Sequence, residues 1–151
     1  MRMAARRLRK LLREPFWLVL IVYWGTIAYM THMPAPTITL RGGDKMAHFL
    51  AYGALGGLLY LALWTNNPGS PDLVFKILVI GMCYGALDEW TQALPWFNRT
   101  CDFVDWCADV AGLSVAVVGM TLIRRGLELF VFQSRAPEPV KAPAPAPEAI
   151  T

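Results

Sequence analysis

The chain has 151 residues, 56% of them hydrophobic and 17% charged, with a mean hydropathy of +0.40 and a formal charge of +3. A soluble domain averages about 45–50% apolar and about 25% charged residues, so this composition argues against a water-soluble enzyme and for a membrane protein. Three cysteines with no CxxC pair exclude a disulfide framework or a structural zinc motif, and no nucleic-acid partner is expected.

Residues 1–15 form a basic start carrying Arg2, Arg6, Arg7, Arg9, Lys10 and Arg13, closed by Pro15. An apolar run over 16–33 follows and ends at Pro34; about 18 residues is near the lower limit for crossing a bilayer. No small-residue cleavage site is evident, so the run reads as an uncleaved signal anchor. Residues 32–45 read as a loop broken by Pro34, Pro36, Gly42 and Gly43, with a short extended stretch at 37–40. His32 falls in this loop and reads as a solvated residue. A second span is predicted over 46–64, then a tight Asn-Asn-Pro-Gly-Ser-Pro turn.

The third span, 73–94, contains the adjacent acids Asp88 and Glu89 and the amide of Gln92. The fourth, 103–123, ends at Arg124-Arg125. Residues 124–135 read as a helical extension or a segment along the membrane surface. Residues 136–151 alternate Ala and Pro and are expected to be disordered. The predicted fold is therefore all-α: a four-transmembrane-helix bundle over 16–123 with a disordered tail. The three cysteines divide into Cys83 and Cys107, expected to pack, and Cys101, expected to be exposed.

Lys and Arg set the orientation. The basic start, Lys76, Arg124, Arg125 and Arg135 fall on one side if four helices alternate, and Arg41, Lys45 and Arg99 on the other. The positive-inside rule then puts both termini in the cytoplasm.

This orientation collects the polar residues. Asp44, Lys45 and His48 start the second helix, Asp88, Glu89 and Gln92 end the third, and Arg99, Asp102, Asp105 and Asp109 precede or start the fourth. Residues three or four apart share a helix face, so Asp44, His48 and Tyr52 form one stripe. Tyr84, Asp88 and Gln92 form a second, and Asp102, Asp105, Asp109 and Gly112 a third. Gly53 with Gly57, Gly81 with Gly85, and Ala108 with Gly112 would let helices approach closely. A charge inside a span costs roughly 2.5–3.5 kcal/mol at its centre, so such residues are functional candidates by default.

Several chemistries suit the cluster. Asp88, Glu89 and Asp105 with His48 are candidates for acid–base catalysis. Asp44, Lys45, Gln92, Arg99 and Asp109 are candidates for ligand binding, with Lys45 and Arg99 holding an anionic headgroup, phosphate or carboxylate. Carboxylates and imidazole also suit a divalent cation, although no HExxH-type spacing is present. Plausible ion pairs are Lys45 with Glu89, and Arg99 with Asp88 or Asp105. The bland alternative is that the polar groups hold the helices together, or serve an antibiotic or a partner protein. Trp17, Trp24, Trp64, Trp90, Trp96 and Trp106 fall mostly near helix ends, as an interfacial belt would place them.

The ordered set Asp44-Lys45-x-x-His48-Phe49-x-x-Tyr52, Asp88-Glu89-x-x-Gln92, and Arg99 followed by Asp105-x-x-x-Asp109-x-x-Gly112 resembles the VanZ-like family of small bacterial membrane proteins. The resemblance spans roughly residues 16 to 123. It implies a multi-pass protein of the bacterial cytoplasmic membrane acting on the cell envelope, with the bilayer and an anionic lipid or envelope precursor as partners. The family takes its name from a protein linked to low-level resistance to the glycopeptide teicoplanin. The resemblance supplies no reaction, so enzyme and binding protein both stay open. Many members carry Asn where this chain has Asp109.

Overall fold

The computed structural model describes residues 2–33, 43–97 and 99–133, with side chains from 14 onward to 131. These residues form four α-helices and no strand: α1 (Arg2–Thr31), α2 (Gly43–Asn66), α3 (Leu73–Gln92) and α4 (Phe103–Gln133). The stretch expected to be extended at 37–40, Arg41 and the Ala-Pro tail lie outside the described residues.

One boundary differs from the sequence reading. α1 runs through Pro15 without a break, so the basic start is helical. Proline removes one amide donor and usually kinks a helix, yet the rest of the hydrogen-bonded ladder can continue on either side. α4 passes through Arg124-Arg125 and takes in the expected helical extension as far as Gln133, and the Arg124 side chain lies 3.6 Å from Glu128 one turn on. Charge stops a membrane span, not a helix.

The connections are short and made by local hydrogen bonds. After α2, the Ser70 amide donates to the Asn67 carbonyl, and Asp72 opens α3, its carboxylate 2.8 Å from the Lys76 ammonium. Lys76 and the Ser70 hydroxyl hold the Asp72 carboxyl down at about 2. Asp102 caps α4: its Oδ1 accepts the Val104 amide at 2.8 Å, and its carbonyl accepts the Asp105 amide.

α2 touches all three other helices and packs most extensively on α4. Glycine allows that approach. A Cβ on Gly112 would run into the Phe49 carbonyl of α2, and one on Gly53 would come within 3.5 Å of the Gly112 carbonyl. On α2 the second small residue at the seam is Gly56, against Leu113 and Ala116; Gly57, expected there, has open space beside it. The fold turns α2 so that Leu55, Gly56 and Leu59 are buried together.

Residues near the end of α1, the start of α2, the end of α3 and the start of α4 touch one another, so the helices run up, down, up and down. The apolar core, with Leu20, Leu55, Leu59, Ile77, Leu113 and Val117, fills the middle and opposite half. α2 and the Phe103–Val131 part of α4 are long and apolar enough to cross a membrane. α3 spans 20 residues, about 30 Å at about 1.5 Å per residue, but carries Lys76, Asp88 and Glu89. Large apolar side chains such as Leu18, Ile21, Phe75, Val118 and Leu122 face outward.

Candidate functional site at one end of the bundle

Every residue picked from the sequence lies at the same end of the bundle, in two layers. The outer layer is ionic. The Lys45 ammonium sits 3.0 Å from Asp102 and 2.8 Å from Asp105. The Asp102 amide donates to Glu89 Oε2 at 2.9 Å. The capping bond from Val104 and the Lys45 ammonium together hold the Asp102 carboxyl below its ordinary range. These bonds tie α2, α3 and the start of α4 together. The expected pair of Lys45 with Glu89 does not form, because Lys45 lies over α4 and Glu89 is occupied by the backbone that leads into it.

Arg99 also has other partners than expected. It donates to the Thr31 carbonyl at the end of α1 and lies 4.0 Å from Asp44, rather than pairing with Asp88 or Asp105. A helix leaves its last carbonyls without internal donors, and Arg99 satisfies one of them.

The inner layer is buried. His48 Nδ1 is 2.9 Å from Asp109 Oδ1 and 3.9 Å from Glu89 Oε1. His48, Asp88, Glu89, Gln92 and Asp109 are 6%, 2%, 3%, 3% and 1% exposed. Gln92 donates to Asp88 at 3.3 Å and to Glu89 at 3.4 Å. Among the described residues Asp109 Oδ2 and the Tyr52 hydroxyl have no hydrogen-bond partner. The Tyr52 and Tyr84 rings stack at 5.9 Å, and Trp24 meets Tyr84 edge-on at 5.0 Å. This aromatic layer lies about one turn deeper than His48 and Asp88 and separates the polar end from the apolar core.

The sequence reading missed α1. Thr31 donates to Asp88 Oδ1 at 2.8 Å, and His32 hydrogen-bonds Thr91 at 2.9 Å while lying 3.7 Å from Asp88. His32 is therefore a half-buried part of the site, not a solvated loop residue. Its signal was present: with alternating helices, Thr31 and His32 end the first apolar run at the same level as His48.

Smaller corrections concern cysteine and tryptophan. Cys83 and Cys107 are exposed on the outer faces of α3 and α4, as is Cys101 in its loop. Trp90 and Trp96 are exposed, as a belt requires, but Trp106 packs inward and donates to the Met82 carbonyl at 3.1 Å.

A cavity of about 250 Å³ opens between α1 and α2 beside the inner layer. Thr31, Asp44, His48 and Arg99 line its polar end, and Tyr23, Ile27, Ala51 and Tyr52 its apolar end. The Tyr23 hydroxyl donates to the Ala51 carbonyl at 3.0 Å and closes the deep side.

Comparison with known proteins adds no relative. No family model, no curated protein and no solved structure matches the chain. The functional reading therefore rests on this geometry and on the motifs above.

Proposed function

We propose that the chain is a VanZ-like protein of the bacterial cytoplasmic membrane with four spans and both termini in the cytoplasm. Its site on the extracytoplasmic side binds or processes an anionic envelope component or lipid headgroup. The order and spacing of the polar motifs support the family. Lys76, Arg124 and Arg125 lie at the end of the bundle away from the site, with the arginine-rich start of α1, which supports the orientation. The outward Leu, Ile, Val and Phe side chains suit lipid.

One observation carries the ligand class: the cavity between α1 and α2 has a polar mouth and an apolar depth. That polarity fits an amphiphile whose headgroup meets Arg99 and His48 while its chain lies along Ile27, Ala51 and Tyr23. Arg99 offers a forked donor set suited to phosphate or carboxylate. His48, steadied by Asp109 and Glu89, supplies an acid–base group beside the headgroup. The satisfied ion pairs of Lys45 favour the structural alternative for the outer layer alone, where Lys45, Asp102 and Asp105 hold helix ends together.

Lipid mass spectrometry on the purified protein tests the proposal. Wild type should retain an anionic amphiphile near one per chain, and Arg99→Gln should lose about tenfold or more, the effect of one charge-assisted hydrogen bond. The same bulk lipid profile for both proteins would count against it.

A further inference from the structure

We infer that His48, Glu89 and Asp109 form a binding site for one divalent transition-metal cation, between α2, α3 and α4. The three residues can each offer one ligand atom, and these atoms all lie within 4.8 Å of one another. The two measured separations from His48 Nδ1, 2.9 Å to Asp109 and 3.9 Å to Glu89, suit one shared ion. Ligands held at about 2.0–2.2 Å from a metal stand roughly 3–4 Å apart at ordinary coordination angles.

Burial and the unpartnered oxygen point to a ligand rather than to an acidic cluster as such. Asp109 is 1% exposed, and its Oδ2 is buried with no donor among the described residues. A buried carboxylate oxygen without a partner is expensive unless something positive faces it. Among the described residues the Lys and Arg nearest in the fold are already engaged: Lys45 with Asp102 and Asp105, Arg99 with Thr31 and Asp44. Asp88, Glu89 and Asp109 thus have only imidazoles beside them, His32 at Asp88 and His48 at Glu89 and Asp109, and a dication supplies charge that a neutral imidazole does not.

The surroundings resemble an outer coordination sphere. Glu89 receives the Asp102 amide at 2.9 Å and the Gln92 amide at 3.4 Å, which fixes the carboxylate in place. A second grouping, Asp44 with His48 and Asp105, also has compatible spacing. It is the poorer site, because Asp105 is held by Lys45 and Asp44 is exposed. One imidazole with two carboxylates suits zinc or manganese better than calcium or magnesium. Of the three ligands only His48 also lines the cavity between α1 and α2. Cation binding would replace the His48–Asp109 hydrogen bond and release its proton, since ligands bind deprotonated.

The inference shares His48 with the anionic-ligand proposal but is tested without lipid ligand, so that either can fail alone. The full-length chain, purified in detergent and stripped with EDTA, is titrated with Zn²⁺ and then Mn²⁺, and its metal content is measured after desalting. One ion per chain is expected. His48→Gln and Glu89→Gln should each weaken binding by more than about a hundredfold, beyond what losing an outer-sphere partner does. Asp72→Asn, at the other end of the bundle, should bind as wild type. A readout free of variants is pulsed EPR of the Mn²⁺-loaded wild type, which should show coupling to one imidazole nitrogen. No stoichiometric ion, unweakened binding in both variants, or a loaded protein without nitrogen coupling would each overturn the inference.

Discussion

Lys45 of α2 reaches across to Asp105 of α4, its ammonium 2.8 Å from the carboxylate. The side chain of Asp105 is only 9% exposed, so Lys45 is its route to charge balance. Removing one partner of such a pair is worse than removing both, because the survivor is left uncompensated. Lys45→Met should therefore lower the melting temperature in detergent, and adding Asp105→Leu should recover much of the loss. A double variant less stable than Lys45→Met would contradict this account of the outer layer.

The α2–α4 seam makes a sharper prediction. Gly112→Ala drives a methyl group into the Phe49 carbonyl, which belongs to the helix backbone and cannot swing aside. Overpacking of this kind costs about 1–3 kcal/mol. Gly57→Ala meets open space and should be neutral. Unfolding of both variants in the same micelle decides the matter, and equal stability would mean the seam is misplaced.

Thr31 gives α1 a stake in the site. Its hydroxyl donates to the buried Asp88 carboxylate at 2.8 Å. Thr31→Val keeps the shape and removes the donor, which should destabilise by about 1–3 kcal/mol. Thr31→Ser should retain most of the wild-type stability. Valine and serine variants of equal stability would show that the hydrogen bond contributes nothing.

Asp72 sets a pH signature at the opposite end. Its folded carboxyl sits at about 2, below the ordinary aspartate range, because Lys76 and Ser70 hold the anion. A depressed folded value means the stabilisation is fully present above the unfolded value and disappears as pH falls through the folded one. Asp72→Asn should thus be less stable than wild type at pH 6, with the gap closing between about pH 4 and pH 2. A gap unchanged down to pH 2 would remove the Lys76 pairing as its cause.

Much of this architecture was legible in the chain. The four apolar runs locate the helices, and i, i+4 spacing put His48 with Tyr52 and Asp88 with Gln92 on buried faces, as found. What sequence could not decide was partner choice. Lys45 could have reached Glu89, but the rotation of α2 over α4 gave it Asp102 and Asp105. The choice of Gly56 over Gly57 depends on the same rotation. The end of α1 was hidden for a different reason: Pro34 marked the span as finished and His32 as loop, while the packing turned Thr31 and His32 inward.

The most direct test of the central claim is labelling of Cys101, which lies in the exposed loop between Arg99 and the start of α4. In a Cys83→Ser, Cys107→Ser background, intact cells are treated with a membrane-impermeant maleimide before and after permeabilisation. The account predicts that Cys101 is labelled in intact cells, since the proposed orientation turns the polar end of the bundle away from the cytoplasm. Labelling only after permeabilisation would put the cluster on the cytoplasmic side and contradict it.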